Sequence, residues 1–227
     1  MIIAIDGPSG AGKSTLGKRL AKKLNLLYLD TGAMYRAVAF AVLQANLGDN
    51  QEKIIEIAEN SKIELIGEPE SLKILLNGED ISTQIRTNEV GQMASIVSTI
   101  SEVRKILVKC QQELGKQGSG CVLDGRDIGT VVFPNADLKF FLTAKPESRA
   151  RRRYEEDLEK GIATTFEETL DEINKRDKRD VTRADSPLTI AEDAIVIDTS
   201  ELNLDEVFAQ IMLQVEEKRT KVSANLT

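Results

Sequence analysis

With 227 residues, 41% hydrophobic and 30% charged, the chain can bury a sizeable core as one domain or as a domain with an insert. A net charge of −7 excludes a general binder of nucleic-acid backbone, and the absence of histidine excludes a histidine general base, a Ser-His-Asp triad and a histidine metal site. No apolar run approaches the ~18 residues of a membrane span, no signal peptide precedes the first strand, and Cys110 and Cys121 lack metal-ligand spacing, so a cytoplasmic protein with reduced cysteines and no membrane partner is expected.

Residues 2–5 are short, apolar and β-branched, the pattern of a buried strand. Gly7-Pro8-Ser9-Gly10-Ala11-Gly12-Lys13-Ser14 follows at once and fits G-x-x-x-x-G-K-[ST]. Leu16, Leu20 and Leu24 then recur on one helical face just past Thr15. Strand, glycine-rich turn and helix are the context a phosphate-binding loop needs, because the turn aims backbone N–H groups and the helix N-terminus at phosphate oxygens. Lys13 is expected on the β/γ-phosphates of a nucleoside triphosphate, and Ser14 on Mg²⁺.

A second strand at 26–29 leads into Asp30-Thr31-Gly32-Ala33-Met34-Tyr35-Arg36, where either Asp30 or Thr31 caps the next helix. Thr31 and Tyr35 face one side of that helix, and Arg36 offers a grip for a second phosphate. Capping and packing also account for Thr31 and Tyr35, less readily for Arg36. A short helix is expected at 51–60. Short β-runs at 62–66 and 72–76 and an Asn77-Gly78 hairpin signal then mark an antiparallel meander, completed by a helix that Thr87 or Asn88 caps. Residues 62–98 therefore read as an insert in a β/α core of 1–61 and 99–227.

Helix 102–116, strand 121–123, strand 138–142 and strand 194–197 complete a five-stranded set. Alternating strands and helices imply a doubly wound α/β fold whose parallel sheet carries helices on both faces. Asp124-Gly125-Arg126-Asp127 packs three charges just past a buried strand, which is costly unless they pair or bind something. Asp124 is placed to orient Mg²⁺ through water. Nine of the thirteen arginines lie between Arg104 and Arg183, which points to small phosphorylated ligands. Arg149, Arg151, Arg152 and Arg153 sit on one helix, and Arg176, Arg179 and Arg183 fall on one face of another if that helix continues. The two arms around Gly161 read as a lid over residues 149–183; a solvated, salt-bridged helix is the plainer alternative. Asn203 with Glu206 caps a last helix to about 218, with a frayed tail beyond Arg219. Asn174-Lys175-Arg176-Asp177 matches the guanine-reading tetrapeptide of GTPases but falls inside a charged helix, which rejects that reading.

Taken together, the phosphate loop, Asp30 to Arg36, Ile85-Arg86-Thr87, Asp124 to Pro134 and Arg176-Asp177-Lys178-Arg179-Asp180 resemble bacterial cytidylate kinases over almost the full length. The resemblance implies a P-loop NTPase-type fold that transfers the ATP γ-phosphoryl group to CMP or dCMP. It implies that Thr31, Arg104, Asp127 and Arg183 read cytosine, that Arg36, Arg126 and Arg176 hold the acceptor phosphate, and that Ser95 and Asp180 meet the ribose. Tyr35 joins the CMP-binding set. Arg153 joins the phosphate-loop residues and Thr15 on ATP, although which of Arg149 and Arg153 touches ATP stays open. Lys13, Asp124, Arg126 and Arg176 are the expected catalytic residues, and the insert becomes the nucleoside-monophosphate-binding subdomain. Mg²⁺ is expected with ATP, and a monomer without nucleic-acid partners. The rivals are another small-molecule kinase with this loop, of adenylate, thymidylate or shikimate type, and a nucleotide-binding switch that does not turn over.

Overall fold

A computed structural model describes residues 1–159 and 161–224. The first β/α unit is β1 (Ile2–Asp6) and α1 (Lys13–Leu24), followed by β2 (Leu27–Asp30), α2 (Thr31–Gln44) and α3 (Gln51–Asn60). Next come β3 (Ile63–Ile66), β4 (Lys73–Leu76), β5 (Glu79–Asp80), α4 (Asn88–Val97) and α5 (Ser101–Gly115). The chain ends with β6 (Cys121–Gly125), β7 (Leu138–Thr143), α6 (Pro146–Glu159), α7 (Phe166–Thr182), β8 (Ile195–Asp198) and α8 (Leu204–Ala224).

Five strands form one parallel sheet in the order β2-β6-β1-β7-β8. Successive side chains of a strand point to opposite faces, so β1 feeds two cores. Ile3 and Ile5 pack with Leu16 and Leu20 of α1 and Val207 and Ile211 of α8. Ala4 packs on the other face with Leu29, Leu123, Ile128 and Val132. Leu16 and Leu20 are 2% and 1% exposed, and burial of each contributes about 2 kcal/mol. Expected β/α alternation and observed sheet agree, and β2, β6 and β1 lie side by side. The three loops that carry the sequence motifs therefore open along one edge.

The insert is a three-stranded antiparallel sheet, β3-β4-β5. Asn77 and Gly78 both take positive φ, 52° and 87°, the conformation a tight hairpin turn requires. Ile63, Ile74, Ile81 and Ile85 do not form a separate core. They share one with Val38 and Val42 of α2, Ile54 of α3 and Leu107 of α5. The α6–α7 pair is joined by a capping box in which Thr165 and Glu168 satisfy each other's backbone N–H groups.

Two helix ends differ from the sequence expectation. Helix α7 stops at Thr182, and Arg183 turns out of it at φ −61°, ψ 142°, so Arg176, Arg179 and Arg183 do not share a helical face. Helix α8 runs on to Ala224 rather than fraying past Arg219, because no breaker interrupts its helix-forming residues. Among the described residues no helix is long and apolar enough to cross a membrane.

Candidate active site

A cavity of about 780 Å³ opens above the carboxyl ends of β2, β6 and β1. Every residue expected in the site lines it except Gly7 and Pro8. Gly7 has φ 144°, and a Cβ there would lie 2.0 Å from the Leu142 carbonyl oxygen. Its part is to let the loop leave the sheet closely past β7. Pro8 offers its carbonyl to the Lys13 ammonium at 2.7 Å.

The floor of the site is a hydroxyl–carboxylate pair. Asp124 Oδ2 accepts from Ser14 Oγ at 2.8 Å, and Oδ1 accepts from Tyr28 OH at 2.7 Å. Thr31 Oγ1 donates to the Asp124 backbone carbonyl at 2.6 Å, while Asp30 caps α2 by accepting from Ala33 N. Burial, then Asp30, pushes the Asp124 carboxyl up to about 6. Tyr28 escaped sequence reasoning, because only the pairing of β2 with β6 brings it beneath Asp124.

Cations crowd the space over this floor. Burial, and after it Arg126, pulls the Lys13 ammonium well below the lysine range. Burial and Arg126 likewise bring Arg176 down to about 9, and burial with Arg86 brings Arg36 to about 10. Burial works against Arg126 too, but Asp180, paired with it at 2.7 Å, together with Asp124 and Asp177 holds its guanidinium above the ordinary value. Arg36 donates to the Ile85 carbonyl at 2.9 Å and has room because residue 91 is glycine, where a Cβ would come within 3.1 Å of the guanidinium. Arg86, quoted in the sequence motif without a role, lines the same wall and pairs with Asp30 at 3.2 Å.

At the far end Asp127 is ion-paired with Arg104 and lies 3.6 Å from Arg183. Arg104 is 2% exposed and stands over the Tyr35 ring at 5.6 Å. Among the described residues, eight buried side-chain nitrogen or oxygen atoms lack a hydrogen-bond partner. Five belong to lining residues: Ser95 Oγ, Arg104 Nε, Asp157 Oδ1, Arg176 Nε and Arg183 NH2. Buried polar atoms are ordinarily satisfied, so this concentration marks where a polar ligand completes the structure.

The arginines of α6 and α7 divide by their contacts. Arg149 is buried, donates to Ser9 O (3.0 Å) and Ala144 O (2.9 Å), and pairs with Asp177 at 2.6 Å. Arg153 lines the cavity, pairs with Asp157 and reaches Asn88 of α4. Arg179 does not line it; Ile173, Arg176 and Asp180 make the cavity face of α7. The cavity also passes to the other side of the phosphate loop, between Arg152 and Thr199, Leu202, Asn203, Leu204 and Val207. No motif flagged that compartment. Its one sequence signal was position, since it follows the last parallel strand, where ligands of such sheets gather.

Ser14 and Asp124 offer two hard oxygens side by side. Among the described residues there is no cluster of three or more His, Cys, Asp or Glu that could cage an ion. That donor set fits Mg²⁺, which favours one or two protein oxygens with phosphate and water completing its shell.

A family model described as cytidylate kinase matches residues 3–217. The cytidylate kinase of Caldanaerobacter subterraneus subsp. tengcongensis is 52% identical over 96% of this chain and 96% of its own. That of Bacillus subtilis is 48% identical over 95% and 96%. Among solved structures, an uncharacterized protein from Eubacterium ventriosum aligns over 95% of this chain and 98% of its own with a TM-score of 0.53 at 13% identity, a likeness of fold alone.

Proposed function

This chain belongs to the cytidylate kinase family, and from that premise we propose how its cleft moves the ATP γ-phosphoryl group to CMP or dCMP, giving ADP and CDP or dCDP. The observation that carries the residue assignments is one cavity lined both by the phosphate loop, Ser9 to Thr15, and by Arg36, Arg126 and Arg176. Phosphoryl transfer needs positioning and charge neutralisation more than a strong base, which suits a chain without histidine.

Gly7 to Thr15 hold the triphosphate, with Lys13 on the β/γ-phosphates and the donor base in the compartment beside Thr199 to Leu204. Arg153 closes on the donor from α6. Ser14 and, through water, Asp124 would hold Mg²⁺, which would supply charge neutralisation on the phosphates. Arg36, Arg126 and Arg176 grip the acceptor phosphate, and Ser95 and Asp180 receive the ribose. Thr31 has committed its hydrogen to Asp124 O, so its lone pairs, with the Asp127 carboxylate, accept from the exocyclic amino group of cytosine. Arg104 and Arg183 serve the ring nitrogen and carbonyl. Uracil would set a carbonyl against Asp127, a mismatch that accounts for discrimination on the order of 10⁴-fold. Residues 62–98 act as the monophosphate-binding subdomain and 149–183 as the lid that excludes water. Action in the cytoplasm as a single chain agrees with two free cysteines and with a site built from one chain.

Product analysis with ATP across a panel of nucleoside monophosphates tests the reading. CDP should form fastest; faster turnover of AMP or dTMP, or ATP binding without CDP formation, would remove it.

A further inference from the structure

The buried carboxylate of Asp6 takes no part in the chemistry above, yet it touches the loop that does. Its backbone is the last rung of the β1–β6 ladder, opposite Gly125. There β1 gives way to the phosphate loop and the ladder stops, but the side chain continues the link. Oδ1 accepts from Ile128 N at 2.8 Å and Oδ2 from Gly129 N at 2.7 Å. Only Arg126 and Asp127 stand between the two anchor points. Asp127 lies at φ −146°, ψ 26°, and a π-helical turn, Ile128–Val132, begins directly after it. Such turns are rare and their first N–H groups have no intrahelical partner. The Asp6 carboxylate supplies that partner.

We propose that Asp6 is the positioning residue for acceptor recognition, clamping the Arg126–Asp127 dipeptide from both ends and fixing it relative to the phosphate loop. The proposal rests on the reading of the cleft as a CMP site. An asparagine cannot replace the carboxylate, since its amide keeps one acceptor and turns its NH₂ against the other N–H. The charged groups about Asp6 are Asp127 from the loop after β6 and Lys13 from α1, with Lys139 of β7 packing its stem over Gly129. Lys139 itself is held by the Pro134 carbonyl and Asp193. Burial, opposed by the two N–H bonds, pushes the Asp6 carboxyl up to about 6. The clamp therefore holds above that pH and loosens below it, when one oxygen gains a proton and faces a donor with a donor.

Steady-state kinetics of Asp6→Asn beside the wild type, with CMP and UMP as acceptors, test this. The KM for CMP should rise tenfold or more and the CMP:UMP ratio of kcat/KM should fall by a similar factor, while the KM for ATP changes less than twofold. In the wild type the same ratio should fall between pH 8 and pH 5.5. UMP carries the same phosphate, so titration of that group cancels, and the variant should show a flat profile. A merely structural residue would lower kcat for both acceptors alike and leave the ratio where it was; an unchanged ratio in a folded variant overturns the proposal. If the variant does not fold, the wild-type pH profile decides, a flat one overturning it. If the wild type does not phosphorylate CMP, the reading of the cleft falls. Amide hydrogen exchange at Ile128 and Gly129 then decides the clamp, with faster exchange in Asp6→Asn supporting it and equal exchange overturning it.

Discussion

Lys13 is 6% exposed, and burial with Arg126 and Arg176 weighs on its ammonium more than Asp124 and Asp180 relieve it. A cluster so weighted toward cations releases its repulsion when phosphates enter, and the gain is largest as charge builds on the transferring group. Lys13→Ala should cut kcat by about 10²-fold or more and leave the KM for CMP within about twofold, because its proposed partners are the donor's phosphates alone. Equal kcat in the two proteins would remove its role. At the opposite end, Asp127 is the carboxylate partner of fully buried Arg104. Asp127→Asn should lower the preference for CMP over UMP by about 10²-fold in kcat/KM. Asp127→Ala should also destabilise the fold by about 3–5 kcal/mol, because it leaves a buried guanidinium unpaired; denaturant unfolding measures that difference. Phosphate chemistry dictates residue type at fixed spacing, which is why Lys13 and Ser14 could be picked from the sequence, while Arg126 drew its expected role from the family resemblance. Tyr28 and Asp6 could not, since their partners lie 96 and 122 positions away and no local pattern encodes them.

At the scale of elements, Arg149 ties three segments together: the phosphate loop through Ser9 O, the start of α6 through Ala144 O, and α7 through Asp177. Gly10 makes this contact possible, for a Cβ there would fall 3.1 Å from Arg149 Cβ. Arg149→Ala should lower the melting temperature by roughly 5–10 °C, the consequence of about 3 kcal/mol lost with a partly buried pair. It should also raise the KM for ATP more than that for CMP, since the freed loop is the one proposed to hold ATP. A variant with unaltered ATP affinity would show that the loop holds its shape without the arginine. Helices and strands themselves were legible, because caps such as Thr87 and Asn203 and the hairpin at Asn77-Gly78 are chemical signals local to the chain. The π-helical turn at Ile128–Val132 was not, as it depends on a carboxylate from β1. Nor was the end of α7, where the backbone turns at Arg183 and Leu188 N donates to Asp180 O.

For the molecule as a whole, one chain supplies every lining residue proposed above for either substrate. Sedimentation at assay concentration should therefore show a 25.0 kDa species, and specific activity should hold constant on dilution; activity lost with dilution would mean that a second copy completes the site. The strand order β2-β6-β1-β7-β8 sets the phosphate loop and the Arg126–Asp127 loop, proposed for donor and acceptor, on adjacent strands, β1 and β6. Hydrogen-bonded neighbours in a sheet sit about 4.8 Å apart, a spacing that side-chain substitution does not alter. The sheet thus serves as a ruler for the gap across which the group must jump. Remodelling the base-reading residues for another acceptor would leave that gauge untouched, so a change of substrate on this scaffold need not mean rebuilding its chemistry.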